Sequence, residues 1–78
     1  MVRRVLPTYD DLAMKSITPR EIDVLRQIAR GDTYAGAAER LGMSPHTVAS
    51  HIKKAYRKLG VHSAGAAVMR AVKLGMLD

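Results

Sequence analysis

From Thr18 onward, apolar residues recur at helical spacing in four short runs, each opened by a hydroxyl side chain and closed by a glycine. The first run begins Thr18-Pro19-Arg20-Glu21. A threonine N-cap, a proline at the first helical position and a glutamate at N3 satisfy orphan backbone N–H groups reciprocally. Ile22, Leu25, Ile28 and Ala29 follow at helical spacing, and Gly31 supplies a left-handed stop, which predicts a helix over about 19–30. Thr33 caps a second helix, about 34–41, with Ala37, Ala38 and Leu41 inward and Gly42 at its end. Gly36 lies inside it and weakens it by about 1 kcal/mol relative to Ala. Tolerated weakness is the simpler reading of that glycine, and close approach of its backbone to another helix or to DNA is the other. Ser44-Pro45 opens a third helix, about 45–59, with Val48, Ile52, Ala55 and Leu59 as its buried stripe and Gly60 as its stop. Val61 then folds back as an anchor. Ser63 caps a fourth helix, about 64–74, whose apolar positions are Ala67, Val68, Ala71, Val72 and Leu74. Gly75 closes it, and Met76-Leu77 tuck underneath. The expectation is an all-α domain of four helices over residues 17–78.

Residues 1–16 follow a different pattern. Val2, Val5 and Leu6 are apolar, Arg3 and Arg4 are basic, and Pro7 interrupts. Thr8-Tyr9-Asp10-Asp11 can open a short turn through Met14. This stretch is expected to be an N-terminal arm or a short extra helix.

Composition narrows the reading. A 78-residue chain is one domain. It has no Phe, Trp or Cys, so its core is built from small and aliphatic side chains, without a disulfide or a thiolate metal site. No apolar run approaches a membrane span, and a cytoplasmic location without membrane attachment is the expectation. The net charge of +6 favours polyanionic partners. Its distribution says more: Arg40 through Leu77 contains no acid, yet holds Arg40, Lys53, Lys54, Arg57, Lys58, Arg70 and Lys73.

The second and third runs are joined by Arg40-Leu41-Gly42-Met43-Ser44, the sequence form of a helix-turn-helix whose second helix enters the major groove of double-stranded DNA. The polar side of that helix carries His46, Ala49, Ser50, Lys53, Lys54, Arg57 and Lys58. Small residues near its start allow close approach to base edges. Basic residues toward its end reach phosphates. Ser44, Thr47 and the helix N-terminus offer further phosphate donors.

Residues 17–77 resemble the LuxR-type (GerE-type) DNA-binding domain found in quorum-sensing regulators and NarL/FixJ response regulators. The matching words are Thr18-Pro19-Arg20-Glu21, Val24-Leu25, Ala29, Gly31, Ala38, Leu41, Ser44, Thr47-Val48, His51, Lys58-Leu59-Gly60-Val61, Ala67-Val68, Ala71 and Gly75. The resemblance implies a four-helix fold and a sequence-specific transcription regulator. It implies base contacts from Ala49, Ser50 and Lys53. It implies phosphate contacts from Ser44, Thr47, Lys54, Arg57 and Lys58, to which the placement of His46 and His51 on the same helix adds two further candidates. It also implies a homodimer, for which Val68, Met69 and Val72 on the last helix are the candidate residues. The chain departs from the family where the second helix reads Tyr34-Ala35-Gly36-Ala37-Ala38, and at Ala49 and Ala64, where basic residues are usual.

Two other readings compete. One is a promoter-binding module like region 4 of a sigma factor. The other is a protein-interaction module that uses the last helix to sequester a related regulator or to adapt RNA polymerase. An enzyme is not expected, for lack of paired carboxylates, a glycine-rich phosphate loop or a nucleophile motif. His46 and His51 are five apart, off the spacing of helical metal pairs, and His62-Ser63 reads as a loop and cap. No metal, cofactor or small-molecule site is expected.

Overall fold

The computed structural model describes Thr8, Leu12 and residues 16–77. Four helices carry the fold: α1 (Pro19–Ala29), α2 (Tyr34–Leu41), α3 (Pro45–Leu59) and α4 (Ala64–Lys73). No strand occurs among the described residues. The expected bounds hold to within a residue because each start has its cap. The side chains of Thr18, Thr33, Ser44 and Ser63 accept from the backbone N–H three residues on, at Glu21, Gly36, Thr47 and Ala66. The turn between α2 and α3 depends on Gly42, whose φ of 68° lies in the left-handed region that a side chain disfavours.

Helices α1 and α3 each pack against the other three, while α2 and α4 do not touch. The core joins Ile17, Val24, Leu25, Ala37, Ala38, Val48, Ile52, Ala55, Leu59, Ala67, Ala71 and Leu77. Small residues supply α2 and α4 with their fully buried contacts, which lets those helices lie close to α1 and α3. Val61 and Met76 pack against this core, as their positions after Gly60 and Gly75 suggest. One detail of α1 differs from its expected stripe: Val24 is fully buried and Ala29, the last helical residue, is exposed.

Gly36 has a more specific role than either expectation. A Cβ there would run into the Asp32 carboxylate, lie 3.0 Å from its Cγ and 3.2 Å from Thr33 Oγ1. Asp32 folds over the start of α2, where its Oδ1 accepts from the Thr33 N–H at 3.1 Å. Its Oδ2 lies 3.0 Å from Arg40 Nε. The close neighbour is a side chain from the preceding turn, not a second backbone.

Leu12 is helical, and its N–H donates to the Thr8 carbonyl at 3.0 Å, which agrees with a turn opening at Thr8. The rest of the expectation for residues 1–16, arm or extra helix, lies outside the described residues.

Candidate nucleic-acid interface

Helix α3 has fifteen residues and two unlike sides. Val48, Ile52, Ala55 and Leu59 are buried at steps of four, three and four. At 100° per residue that stripe fixes the opposite side. His46, Lys53, Lys54 and Arg57 are exposed there, and Ser50 is half-exposed between them. Ala49 is half-buried on one flank, and His51 on the other. The exposed side therefore begins with small or uncharged groups and ends with three cations. Arg57 and Lys58 also lie in the last turn, where positive charge complements the helix dipole.

Ser44 and Thr47 occupy the N-terminal edge of this face. Ser44 Oγ accepts from the Thr47 N–H at 3.1 Å and shares a 3.0 Å hydrogen bond with Thr47 Oγ1. The Ser44 hydroxyl therefore caps the helix with the Thr47 hydroxyl bonded to it, and Ser44 also remains exposed. His51 is half-buried, with a buried Nδ1 that has no hydrogen-bond partner among the described residues.

Lys58, expected at a phosphate, has its ammonium engaged within the domain. Lys58 Nζ donates to Glu21 Oε1 at 2.7 Å, to Glu21 Oε2 at 3.1 Å and to the Ser16 carbonyl at 2.6 Å. Glu21 is 2% exposed, so its charge demands a partner, and Lys58 is placed to provide one. Burial pushes the Glu21 carboxyl up. The Lys58 hydrogen bond, the Thr18 N–H, the Lys58 charge and the Thr18 hydroxyl together outweigh it, and the group ends below its ordinary value. Lys58 is thus a structural cation at the edge of the face.

The opposite flank of α3 holds a feature that sequence reasoning missed. Tyr56 is half-buried, and Tyr34, the first residue of α2, is the phenol that acts on it. Burial and the neighbouring phenol raise the Tyr56 hydroxyl above its ordinary value. The α-helical period placed Tyr56 beside the stripe, but nothing in the sequence paired it with Tyr34.

On α4, Ala67 and Ala71 are buried and Val68 is half-buried against the core. Met69 is 75% exposed and Val72 is 47% exposed. Of the three candidate dimer residues, two therefore face outward. Among the described residues no group of three His, Cys, Asp or Glu side chains lies together to hold a metal. Among them also, no helix is long and apolar enough to cross a membrane.

Comparison with known proteins agrees with this architecture. A solved structure titled "Structure of Transcription factor, GerE" superposes with a TM-score of 0.75 at 30% identity, over 78% of this chain and 91% of that one. The nitrate/nitrite response regulator protein homolog of Haemophilus influenzae is 45% identical over 62 residues, which is 80% of this chain and 30% of that protein. The probable transcriptional regulatory protein NarL of Mycobacterium tuberculosis is 39% identical over 80% of this chain and 29% of its own length. A quorum sensing-dependent transcriptional regulator, VjbR, of Brucella abortus is 39% identical over 80% of this chain and 24% of its own. The chain thus spans less than a third of the length of these curated relatives. The sequence pattern of the GerE family, bacterial regulatory proteins of the luxR family, matches residues 15–71, from the residue before Ser16 into the buried side of α4. With three helices and most of the fourth inside that match, the chain belongs to the LuxR family of bacterial regulatory proteins.

Proposed function

We infer that this chain is the DNA-binding module of a transcription regulator and lays α3 in the major groove of double-stranded DNA. One observation carries the reading: the side of α3 opposite its buried stripe is exposed, cationic and without an acid. Membership of a family of regulators rather than enzymes supports it. Lys53 is the long donor nearest the small residues, and it suits guanine O6 and N7. Ala49 and Ser50 keep the backbone close to the base edges. Ala49 can only pack, for instance on a thymine methyl, and Ser50 can donate or accept. His46, Lys54 and Arg57 serve phosphates, joined by Ser44 and Thr47 at the helix start and His51 on the flank.

The module acts as a homodimer, with Met69 and Val72 of α4 at the two-fold contact and Val68 beneath them. Two α3 helices then read half-sites roughly 34 Å apart. The exposed apolar pair on α4 supports this arrangement, and sequestration of another regulator or contact with RNA polymerase is the competing use of the same surface.

Fluorescence anisotropy on an operator-length duplex tests the reading. If about six phosphates are neutralised, log K against log salt falls with a slope near −5. Lys53→Ala relaxes base preference, whereas Arg57→Ala weakens all sequences alike. Binding that ignores salt refutes the proposal.

A further inference from the structure

Lys58 ties the end of α3 to two groups about forty residues earlier in the chain. Its ammonium lies between the Glu21 carboxylate of α1 and the carbonyl of Ser16, where the chain enters the folded domain. Glu21 is itself fixed. Its Oε1 accepts from the Thr18 N–H at 3.0 Å, and its own N–H donates to Thr18 Oγ1 at 3.2 Å. The carboxylate cannot follow Lys58 without dismantling the cap of α1.

The apolar stripe of α3 is not directional. Val48, Ile52, Ala55 and Leu59 fix which side of the helix faces the core, and the burial that holds them there leaves the finer roll about the helix axis to directional contacts. Charge-assisted hydrogen bonds are directional and short. Lys58 precedes the buried Leu59 and follows the exposed Arg57, so fixing Lys58 fixes how far the cationic side turns outward.

We propose that Glu21 is a positioning residue for DNA binding, which through Lys58 sets the roll of α3 against α1 and the Ser16 carbonyl, so that the chain entering at Ser16 and the DNA-facing side of α3 move as one. The proposal rests on the DNA-binding reading of α3. It gives the module a route for control: a pull or twist arriving along the residues ahead of Ile17 reaches Lys53, Lys54 and Arg57 through this clasp.

The test uses the 78-residue chain and a fluorescein-labelled 30-base-pair duplex of mixed sequence, with affinities corrected for folded fraction measured by circular dichroism. Glu21→Gln removes a negative charge, so electrostatics alone would tighten binding. Positioning gives the opposite sign: binding weakens roughly three- to tenfold. Lys58→Met weakens it similarly, with the salt slope unchanged, and the double variant is no weaker than Lys58→Met alone. In ¹⁵N spectra of Glu21→Gln, the amides of Ile17, Lys53, Lys54 and Arg57 shift together. Should Glu21→Gln not fold, Lys58→Arg replaces it: charge is kept but the three-acceptor geometry is lost, and binding weakens. The proposal is overturned if Lys58→Met lowers the salt slope by about 0.9 per lost contact while Glu21→Gln tightens binding. It is equally overturned if all folded variants bind as the parent does, or if the Ile17 amide shifts without those of α3. Absence of any binding by the parent chain defeats the DNA reading instead, and the coupled amide shifts still decide whether the clasp transmits.

Discussion

The carboxylate of Asp32 occupies the space that a methyl group on Gly36 would need. Ordinary helix propensity says that Gly36→Ala stabilises α2 by about 1 kcal/mol. Here the new Cβ must displace Asp32 from the Thr33 N–H and from Arg40. Both are partly solvated contacts, each worth up to about 1 kcal/mol. Gly36→Ala alone is therefore expected to change stability by less than about 1 kcal/mol, because gain and loss offset. In an Asp32→Ala background, where only Thr33 Oγ1 still crowds the new Cβ, the same substitution is expected to show a larger gain, up to about 1 kcal/mol. Urea titration of the four members of this cycle measures the difference, and an equal effect in both backgrounds rules out the steric account.

The Glu21 carboxyl is held below its ordinary value, so its contribution to folding has a defined pH window. It is complete above the ordinary glutamate value and is lost as pH falls through the lowered one, because the unfolded chain takes up the proton first. Thermal melts between pH 7 and pH 3 should show a steep acid-side decline. Glu21→Gln should lower stability by about 1–3 kcal/mol at neutral pH, since Lys58 loses a charged acceptor. The variant's own decline below pH 5 should be shallower than the parent's. Parallel acid limbs would mean that another carboxylate governs the transition.

Local signals are what made the fold legible. Thr18, Thr33, Ser44 and Ser63 mark helix starts through chemistry within three residues, and the periodic stripe of α3 reports one buried side without knowledge of its neighbours. The same locality explains the misreadings. Lys58 lies at the margin between buried and exposed sides, and helical period alone cannot say that Glu21, 37 residues earlier, waits beside it. Gly36 read as a weakness because the reach of Asp32 back over the next turn depends on a loop conformation that propensity does not encode. Tyr34 and Tyr56 meet only because α2 crosses α3. The exposed face of α3 was legible because it is the remainder once the stripe is assigned. The misplaced side chains are those whose partners come from another helix or from the turn ahead of their own.

Tyr56 should titrate abnormally late. Burial disfavours its phenolate, and Tyr34 adds to the effect through its charge and hydroxyl. Spectrophotometric titration should therefore resolve a tyrosine above the ordinary value of about 10. Tyr34→Phe should bring it part of the way down, leaving the burial contribution in place. The sign for stability follows: the group's contribution is present at neutral pH and is lost as pH rises through the raised value. If Tyr34→Phe leaves the late titration unchanged, the two phenols do not interact.

The α4 surface yields the sharpest test of the assembly. Isolated exposed apolar residues are common and mean little singly. Met69 and Val72, three residues apart, lie on one side of a short helix whose alanines already satisfy the core. Burial of such a side chain contributes about 1.5–3 kcal/mol. A two-fold axis counts each residue twice, so Met69→Glu should weaken dimerisation at least ~100-fold, with Val72→Glu close behind. Neither should disturb folding much, because both side chains are largely outside the core. Val68 is a poorer probe, since it also packs inward and its replacement confounds the two effects. Sedimentation equilibrium, free and on a two-half-site duplex, reads the outcome. A parent chain that stays monomeric in both conditions would rule the dimer out and leave the Met69–Val72 surface to a different protein partner.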